Sequence, residues 1–152
     1  MNPYDSAQVQ AVWQRVMGKN DAEELRQSLL EMMAAEHASA REYERMAKQT
    51  GVHAQLLRRM AREEWQHARK LSVLYDLLYG RAPEVASGVA QKPCDFREAL
   101  RRAFRGELAA AESYRNAAQN WKRHSALFEA LAADEQRHSR NLHRMAQGLP
   151  HA

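Results

Sequence analysis

The four-residue motif Glu-x-x-His occurs twice in this chain, once as Glu64–His67 and once as Glu135–His138. Apolar residues recur around the first copy at steps of three and four, the spacing of an amphipathic helix; they are Leu57, Met60, Leu71, Leu74 and Leu78. Continuing these steps places Glu64 and His67 within the apolar stripe. A buried charge must be paired or bound to a metal ion. The chain therefore needs a fold that gives both side chains a partner in the core.

The second half of the chain repeats the first half at a shift of 71 residues, without a gap. Glu36 then aligns with Glu107, and in each half this Glu lies 28 residues before the Glu of the Glu-x-x-His motif. Other matched pairs are Tyr43 with Tyr114, His53 with His124, and Leu71 with Leu142. Halves with only a packing role would be expected to replace buried carboxylates by apolar residues. The repeated Glu and His positions therefore indicate a shared chemical role.

The composition favours an all-α fold, because Ile is absent, Thr occurs once, and good helix formers such as Ala, Leu, Glu and Arg dominate. We predict that Gly51 caps the C-terminus of the first helix, that Gly80 ends the second, and that a capping box at Asp95–Glu98 opens the third. We predict four helices, over about residues 21–50, 53–79, 95–121 and 125–147. Two helix pairs with tight internal turns and one long link predict a four-helix bundle with a crossover.

The first 19 residues are predicted to form a separate N-terminal extension with a short amphipathic helix, since Val9, Val12 and Val16 follow helical spacing. Gly18–Asn20 breaks this helix, and Asp21 opens the next one. Residues 20–150 then form a single domain that contains the bundle.

Charge and cysteine content limit the partners and the cellular compartment that we expect for this chain. The net charge of +4 comes from basic residues spread along every helix, which favours a solvated surface over a nucleic-acid patch. The single cysteine, Cys94, excludes an internal disulfide and a Cys-x-x-Cys metal site. No apolar run approaches the ~20 residues that span a bilayer, and the N-terminus lacks the pattern of a signal peptide. We therefore expect a cytoplasmic protein without a membrane or nucleic-acid partner.

The six core-facing polar residues match the chemistry of a dinuclear metal site. Each half supplies one Glu from its first helix and a Glu-x-x-His pair from its second, and helical residues at i and i+3 share a face. Four carboxylates and two imidazoles suit two iron ions, or alternatively manganese. The predicted metal ligands are Glu36, Glu64, His67, Glu107, Glu135 and His138. The alternative is a plain bundle in which the inferred stripe is misphased and these side chains lie on the surface.

These residues resemble the ferritin-like superfamily, and most closely its rubrerythrin-type di-iron domain. The matching residues are Glu36 with Tyr43, Glu64–His67, Glu107 with Tyr114, and Glu135–His138. The resemblance covers about residues 21–147. It implies a carboxylate-bridged di-iron centre with peroxidase or oxidase activity. Rubrerythrins typically also carry a rubredoxin domain with four cysteines, which this sequence lacks, and the resemblance then implies a separate electron donor. Rubrerythrins further carry an extra Glu at a position that is Ala110 here.

Several functions are open to such a chain. The leading hypothesis is an oxidoreductase that reduces hydrogen peroxide or dioxygen; the alternative is a ferritin-like ferroxidase that binds and stores iron. A third class is a metal-free interaction bundle. Tyr43 and Tyr114 lie two turns from their Glu and are interpreted as hydrogen-bond donors to ligand carboxylates, with core packing as the alternative. A homodimer is expected from the resemblance.

Overall fold

The computed structural model describes residues 7–8, 11, 19–86 and 91–150. Within these residues there is no strand, and four long helices are present: α1 (Lys19–Ala47), α2 (Ala54–Tyr79), α3 (Phe96–Asn120) and α4 (Ser125–Gln147), with a 3-10 turn at Lys122–His124 before α4. The prediction of an all-α chain with four helices is confirmed, and every predicted end lies within three residues of the observed one. The predicted N-terminal helix lies almost entirely outside the described residues.

The helix ends confirm two of the predicted signals and contradict a third. Asp95 caps α3, and its side chain accepts a hydrogen bond of 2.8 Å from the Glu98 backbone N–H. Gly80 ends α2 with φ 68°, the left-handed conformation that glycine adopts without strain. The prediction that Gly51 caps α1 is wrong. The helix ends earlier, at Ala47, and Gly80 is the one described glycine with a positive φ.

The start of α1 also differs from the prediction, since Lys19 and Asn20 are helical and do not form a break. Helix ends depend on a balance of weak local preferences, so a shift of one or two residues is common. Along α1, steps of three and four from Leu25 and Leu29 predict Met32 on the buried stripe. Met33 is buried and Met32 half-buried, because a helical period of 3.6 residues allows a step of three or four.

The contacts of the chain divide it into two units, residues 1–41 with 62–90 and residues 42–61 with 91–152. In the first unit, α1 up to Arg41 runs antiparallel to α2 from Arg62 onwards. The Tyr79 hydroxyl near the end of α2 donates a hydrogen bond of 2.8 Å to the Ala22 carbonyl near the start of α1. The buried residues of this unit lie at helical spacing along both segments; they include Leu25, Leu29, Met33, Ala68, Leu71, Tyr75 and Leu78.

The second unit contains the α1–α2 turn, α3 and α4. Its apolar core joins the end of α1 and the start of α2 to the start of α3 and the end of α4 through Met46, Leu57, Leu100 and Met145. The Gln49 side-chain amide in the α1–α2 turn donates a hydrogen bond of 3.0 Å to the Cys94 carbonyl, just before α3. In this unit α2 and α3 begin at the same end, and the crossover of the link between them stays a prediction. No described helix is long and apolar enough to cross a membrane.

Candidate metal centre

The first unit brings Glu36, Glu64 and His67 together, and we call these three residues the first trio. Glu36 lies on α1, and Glu64 and His67 lie one turn apart on α2. The His67 Nδ1 atom is 3.6 Å from a carboxylate oxygen of Glu36 and 3.6 Å from one of Glu64. All three residues are at most 3% exposed. The antiparallel pairing of α1 and α2 therefore places two carboxylates and one imidazole at a single buried point.

The second unit repeats this arrangement with Glu107, Glu135 and His138, which we call the second trio. The His138 Nδ1 atom is 3.8 Å from a carboxylate oxygen of Glu107 on α3 and 3.3 Å from one of Glu135 on α4. These residues are also at most 3% exposed. The alternative in which the six side chains lie on the surface is therefore wrong.

The spacing of donor atoms in each trio suits a metal ion. Protein donor atoms bind such ions at about 2.1 Å. Two donor atoms on one ion are therefore about 3.0 Å apart if they form a right angle at the ion, and about 4.2 Å apart if they lie on opposite sides of it. The observed separations of 3.3 to 3.8 Å fall inside that range. One donor atom from each member of a trio lies within 4.8 Å of the others. Two carboxylates and a neutral imidazole also balance one divalent cation, and this donor set suits iron or manganese.

Tyr43 contacts the second trio. Its hydroxyl donates a hydrogen bond to a carboxylate oxygen of Glu107, and its ring meets the His138 ring edge-on, with the ring centroids 6.3 Å apart. The sequence predicted that Tyr43 would act on a ligand carboxylate, but the spacing pointed to Glu36 of its own half. The observed carboxylate belongs to the other half, because the end of α1 packs in the second unit.

Tyr114, the counterpart of Tyr43, is buried and stacks on Phe128 with the ring centroids 6.3 Å apart. Its predicted role towards a ligand carboxylate stays a prediction. At the position of the additional rubrerythrin Glu, Ala110 is half-buried, while Glu112 on the same helix is exposed. His124 precedes α4 and makes no side-chain cap, and its pKa is lowered by burial and by the nearby charge of Arg123.

One further carboxylate, Glu42, lies next to Tyr43 and is buried, which the helical spacing did not predict. It accepts hydrogen bonds of 2.7 Å from Arg45 and 2.7 Å from Arg102, which tie the end of α1 to α3. Burial raises the pKa of Glu42, but the two guanidinium groups outweigh that effect and hold it below the usual value of 4.5. Glu42 aligns with Ser113 in the repeat, so the comparison of halves gave no signal. The one available signal was Arg45, three residues later on the same helix face.

His37 and Trp65 are the residues that directly follow Glu36 and Glu64 in the sequence, and they pack against each other beside the first trio. Their ring centroids lie 5.1 Å apart, and the Arg41 guanidinium lies over the Trp65 ring at 5.9 Å. Trp65 is half-buried in this contact, which is typical of a packing residue.

Comparison with known proteins supports the same fold. The Rubrerythrin family model matches residues 98–151, which span most of α3 and all of α4. The structure is similar to that of a ferritin like, diiron-carboxylate protein from Bacillus anthracis str. Ames, with a TM-score of 0.70 and 25% sequence identity, over 84% of this chain and 99% of that one. A comparison with curated protein sequences finds no match. The chain therefore has the ferritin-like four-helix bundle fold of the diiron-carboxylate proteins and resembles the rubrerythrins, as its sequence predicts.

Proposed function

We propose that this chain is an oxidoreductase that reduces hydrogen peroxide, or dioxygen, at a dinuclear iron site. The first and second trios together would hold the two ions through Glu36, Glu64, His67, Glu107, Glu135 and His138. The observation that carries this proposal is the presence of two matching buried trios, each with a histidine Nδ1 atom beside two carboxylates. A site with only a structural role in packing would not need four buried carboxylates.

Bound iron would supply the electrons, one from each ion, that reduction of peroxide to water requires. The protein side chains have different roles. The Tyr43 hydroxyl holds Glu107 in a fixed orientation through its hydrogen bond, as groups behind metal ligands commonly do. The nearly complete burial of both trios keeps bulk water away from the ligands, which strengthens their electrostatic interaction with a cation.

Each turnover consumes two electrons and two protons per peroxide, so the oxidised site must be reduced again. The sequence contains one cysteine and therefore no four-cysteine iron–sulfur site of the rubredoxin kind. We accordingly propose that a separate protein or a small reductant donates the electrons.

A ferritin-like role in iron oxidation and storage is the second candidate, and one observation favours it. Rubrerythrins have an additional Glu where this chain has Ala110, and Glu112, the nearest acidic residue along α3, is exposed. The chain therefore lacks a carboxylate that the resemblance associates with peroxide chemistry. A storage protein would take up iron far beyond two ions per chain.

The two candidates are separated by loading the protein anaerobically with Fe²⁺ and adding peroxide or air in the presence of ascorbate. The proposed function predicts two irons per chain and repeated consumption of peroxide, faster than that of dioxygen. Uptake of tens of irons per chain with little peroxide turnover would favour storage. Glu107→Gln should abolish turnover, whereas Glu112→Gln, an exposed change on the same helix, should leave it unchanged. Elemental analysis of protein purified without added metal distinguishes iron from manganese.

A homodimer stays a prediction from the resemblance. Val73 and Leu77 lie one turn apart on α2 and are 52% and 70% exposed, so they offer an apolar patch that a second copy could cover. Light scattering of the wild type and of Leu77→Arg tests this prediction, because the substitution should convert a dimer that uses the patch into monomers.

A further inference from the structure

The surface of α3 and α4 is more basic than that of α1 and α2. Residues 96–147 contain ten Lys and Arg against six Asp and Glu, whereas residues 19–79 contain ten of each. Two of the six acidic residues, Glu107 and Glu135, are buried in the second trio. The positive excess therefore belongs to the surface of this helix pair.

Three side-chain contacts mark the seam along which α3 and α4 meet at the surface. Arg97 donates a hydrogen bond to the Pro150 carbonyl, Phe104 lies beside His143 with the ring centroids 6.1 Å apart, and Arg115 donates a hydrogen bond of 3.1 Å to Gln136. Their order along the two helices shows that α3 and α4 are antiparallel. Residues one turn from these contacts, or next to them in the sequence, flank the seam.

Four exposed arginines flank this seam, and we call them the arginine face: Arg101, Arg105, Arg140 and Arg144. The first two lie one turn apart on α3, and the other two lie one turn apart on α4. Among the described residues, the one acidic partner of the four is Glu98, which lies 3.5 Å from Arg101. Leu108, which is 42% exposed, and the half-buried Phe104 provide apolar surface beside them.

The repeat shows that the bundle does not require these charges. The four positions align with Leu30, Ala34, Arg69 and Val73 in the first half, so three of the four arginines have uncharged counterparts. The first half nevertheless forms a matching trio. The arginines are therefore not required for the bundle or for the buried trio, which leaves their charge available to a partner outside the chain.

We propose that the arginine face is the docking surface for an acidic electron-transfer protein that reduces the metal site. The proposal rests on the proposed function, which requires an external donor. Clustered positive charge attracts an acidic partner and orients it on approach. Apolar surface inside a charged rim is the usual composition of an interface between proteins, whereas a nucleic acid would make little use of it.

The position of the arginine face suits electron transfer. Leu108 directly follows Glu107, and Arg140 lies two residues after His138, so one helix layer, about 10 Å thick, separates the arginine face from the second trio. Each donor molecule would give one electron. Two donors would therefore be oxidised for each peroxide reduced, which together with two protons gives two molecules of water.

The proposal is tested by the binding of oxidised rubredoxin and of oxidised flavodoxin, two small acidic redox proteins, to the full chain by calorimetry at low and high salt. Arg140→Glu with Arg144→Glu should weaken binding at low salt by about tenfold or more, and high salt should remove most of the difference. The matched control is Arg69→Glu with Lys70→Glu, which makes the same charge change on α2. It should alter binding by less than about threefold. Arg101→Gln with Arg105→Gln tests the same face from α3.

Equal weakening by the Arg140/Arg144 variant and by its control would overturn the proposal, since a general charge effect would then explain the binding. Failure of both probes to bind the wild type, or tighter binding of duplex DNA than of either probe at the same salt, would also overturn it. The iron-loaded chain provides an independent measurement. The Arg140/Arg144 variant should lose reduction by rubredoxin but keep reduction by ascorbate. If the binding results hold and no peroxide is consumed, the proposed function fails while the docking surface stands.

Discussion

The first and second trios occupy equivalent positions in two halves of one chain, yet their surroundings differ in most respects. Both place a histidine Nδ1 atom 3.3 to 3.8 Å from two carboxylates. Around the first trio the half-buried residues include His37 and Trp65, whose counterparts in the second half are Leu108 and Gln136. Glu42, with its two arginine partners, has only Ser113 as its counterpart. The buried trio thus recurs, while the residues around it differ between the halves.

The largest expected effect comes from removing one histidine at a time. His67→Ala and His138→Ala should each lower the iron content below two per chain and reduce peroxide turnover by about 100-fold or more, because a ligand contributes at least as much as the groups that orient it. If the halves are equivalent, the two variants should behave alike. Elemental analysis and a peroxide assay measure both quantities, with the exposed His143→Ala as the control. Full iron content in either variant would show that the substituted histidine is not a metal ligand.

The tyrosines provide a finer comparison of the halves. Tyr43→Phe removes the hydrogen bond to Glu107 and should weaken iron affinity or turnover by about tenfold. Since Tyr114 occupies the equivalent position, Tyr114→Phe should have a similar effect. Tyr75→Phe is the control, because Tyr75 is a buried tyrosine whose hydroxyl accepts a hydrogen bond from Arg26 at 3.5 Å. Iron titrations of the three variants are the measurement, and an unchanged affinity in Tyr43→Phe would limit that residue to packing.

Glu42 should matter for stability and not for metal binding. Glu42→Gln weakens two charge-assisted hydrogen bonds and should lower the free energy of unfolding at pH 7 by about 2 kcal/mol. Ser113→Ala, at the equivalent position, should have little effect. Urea unfolding of the metal-free proteins measures the difference. Equal stability of Glu42→Gln and the wild type would contradict the stabilising role of the two arginine contacts.

The same carboxylate gives a pH dependence with a defined sign. Its pKa is lower in the folded protein than the usual 4.5, so the folded state favours the ionised form. The contribution of Glu42 is therefore complete above pH 4.5 and is lost as the pH falls through the lowered pKa. The stability difference between the wild type and Glu42→Gln should shrink below pH 4.5, and a difference that grows there would contradict the assigned contacts.

The smallest expected effect comes from Gly106 in the middle of α3, which aligns with Ala35 on α1. A Cβ atom at Gly106 would meet no other atom within 4 Å, and its φ is not positive. Gly106→Ala should therefore raise the free energy of unfolding by about 0.5–1 kcal/mol, since glycine is a poor helix former. Thermal unfolding should show an increase of about 2 °C. A lower melting temperature would indicate that this surface is covered by a partner.

The sequence predicted the helices and the burial of the six polar residues, because both depend on periodic signals. A stripe at a period of 3.6 residues locates a core face, and a shift of 71 residues identifies the positions where that face is polar in both halves. Local signals were less reliable. Gly80 and Asp95 act at helix ends as predicted, whereas Gly51 does not, since the end of α1 is set by packing in the second unit.

Sequence patterns could not predict two features of the structure. The contact of Tyr43 with Glu107 joins residues 64 positions apart, and nothing in the repeat distinguishes this carboxylate from Glu36. The burial of Glu42 depends on Arg102 of α3, which is 60 positions away. Long-range pairing of this kind is set by which helix segments meet, and periodicity specifies only the face that each helix buries.

The most direct test of the account is an anomalous diffraction experiment at the iron edge on crystals of the iron-loaded chain. The account predicts two peaks per chain, one beside His67 Nδ1 and one beside His138 Nδ1, each about 2.1 Å from its ligand atoms. A single peak, peaks away from both trios, or no peak in protein that is otherwise intact would contradict it.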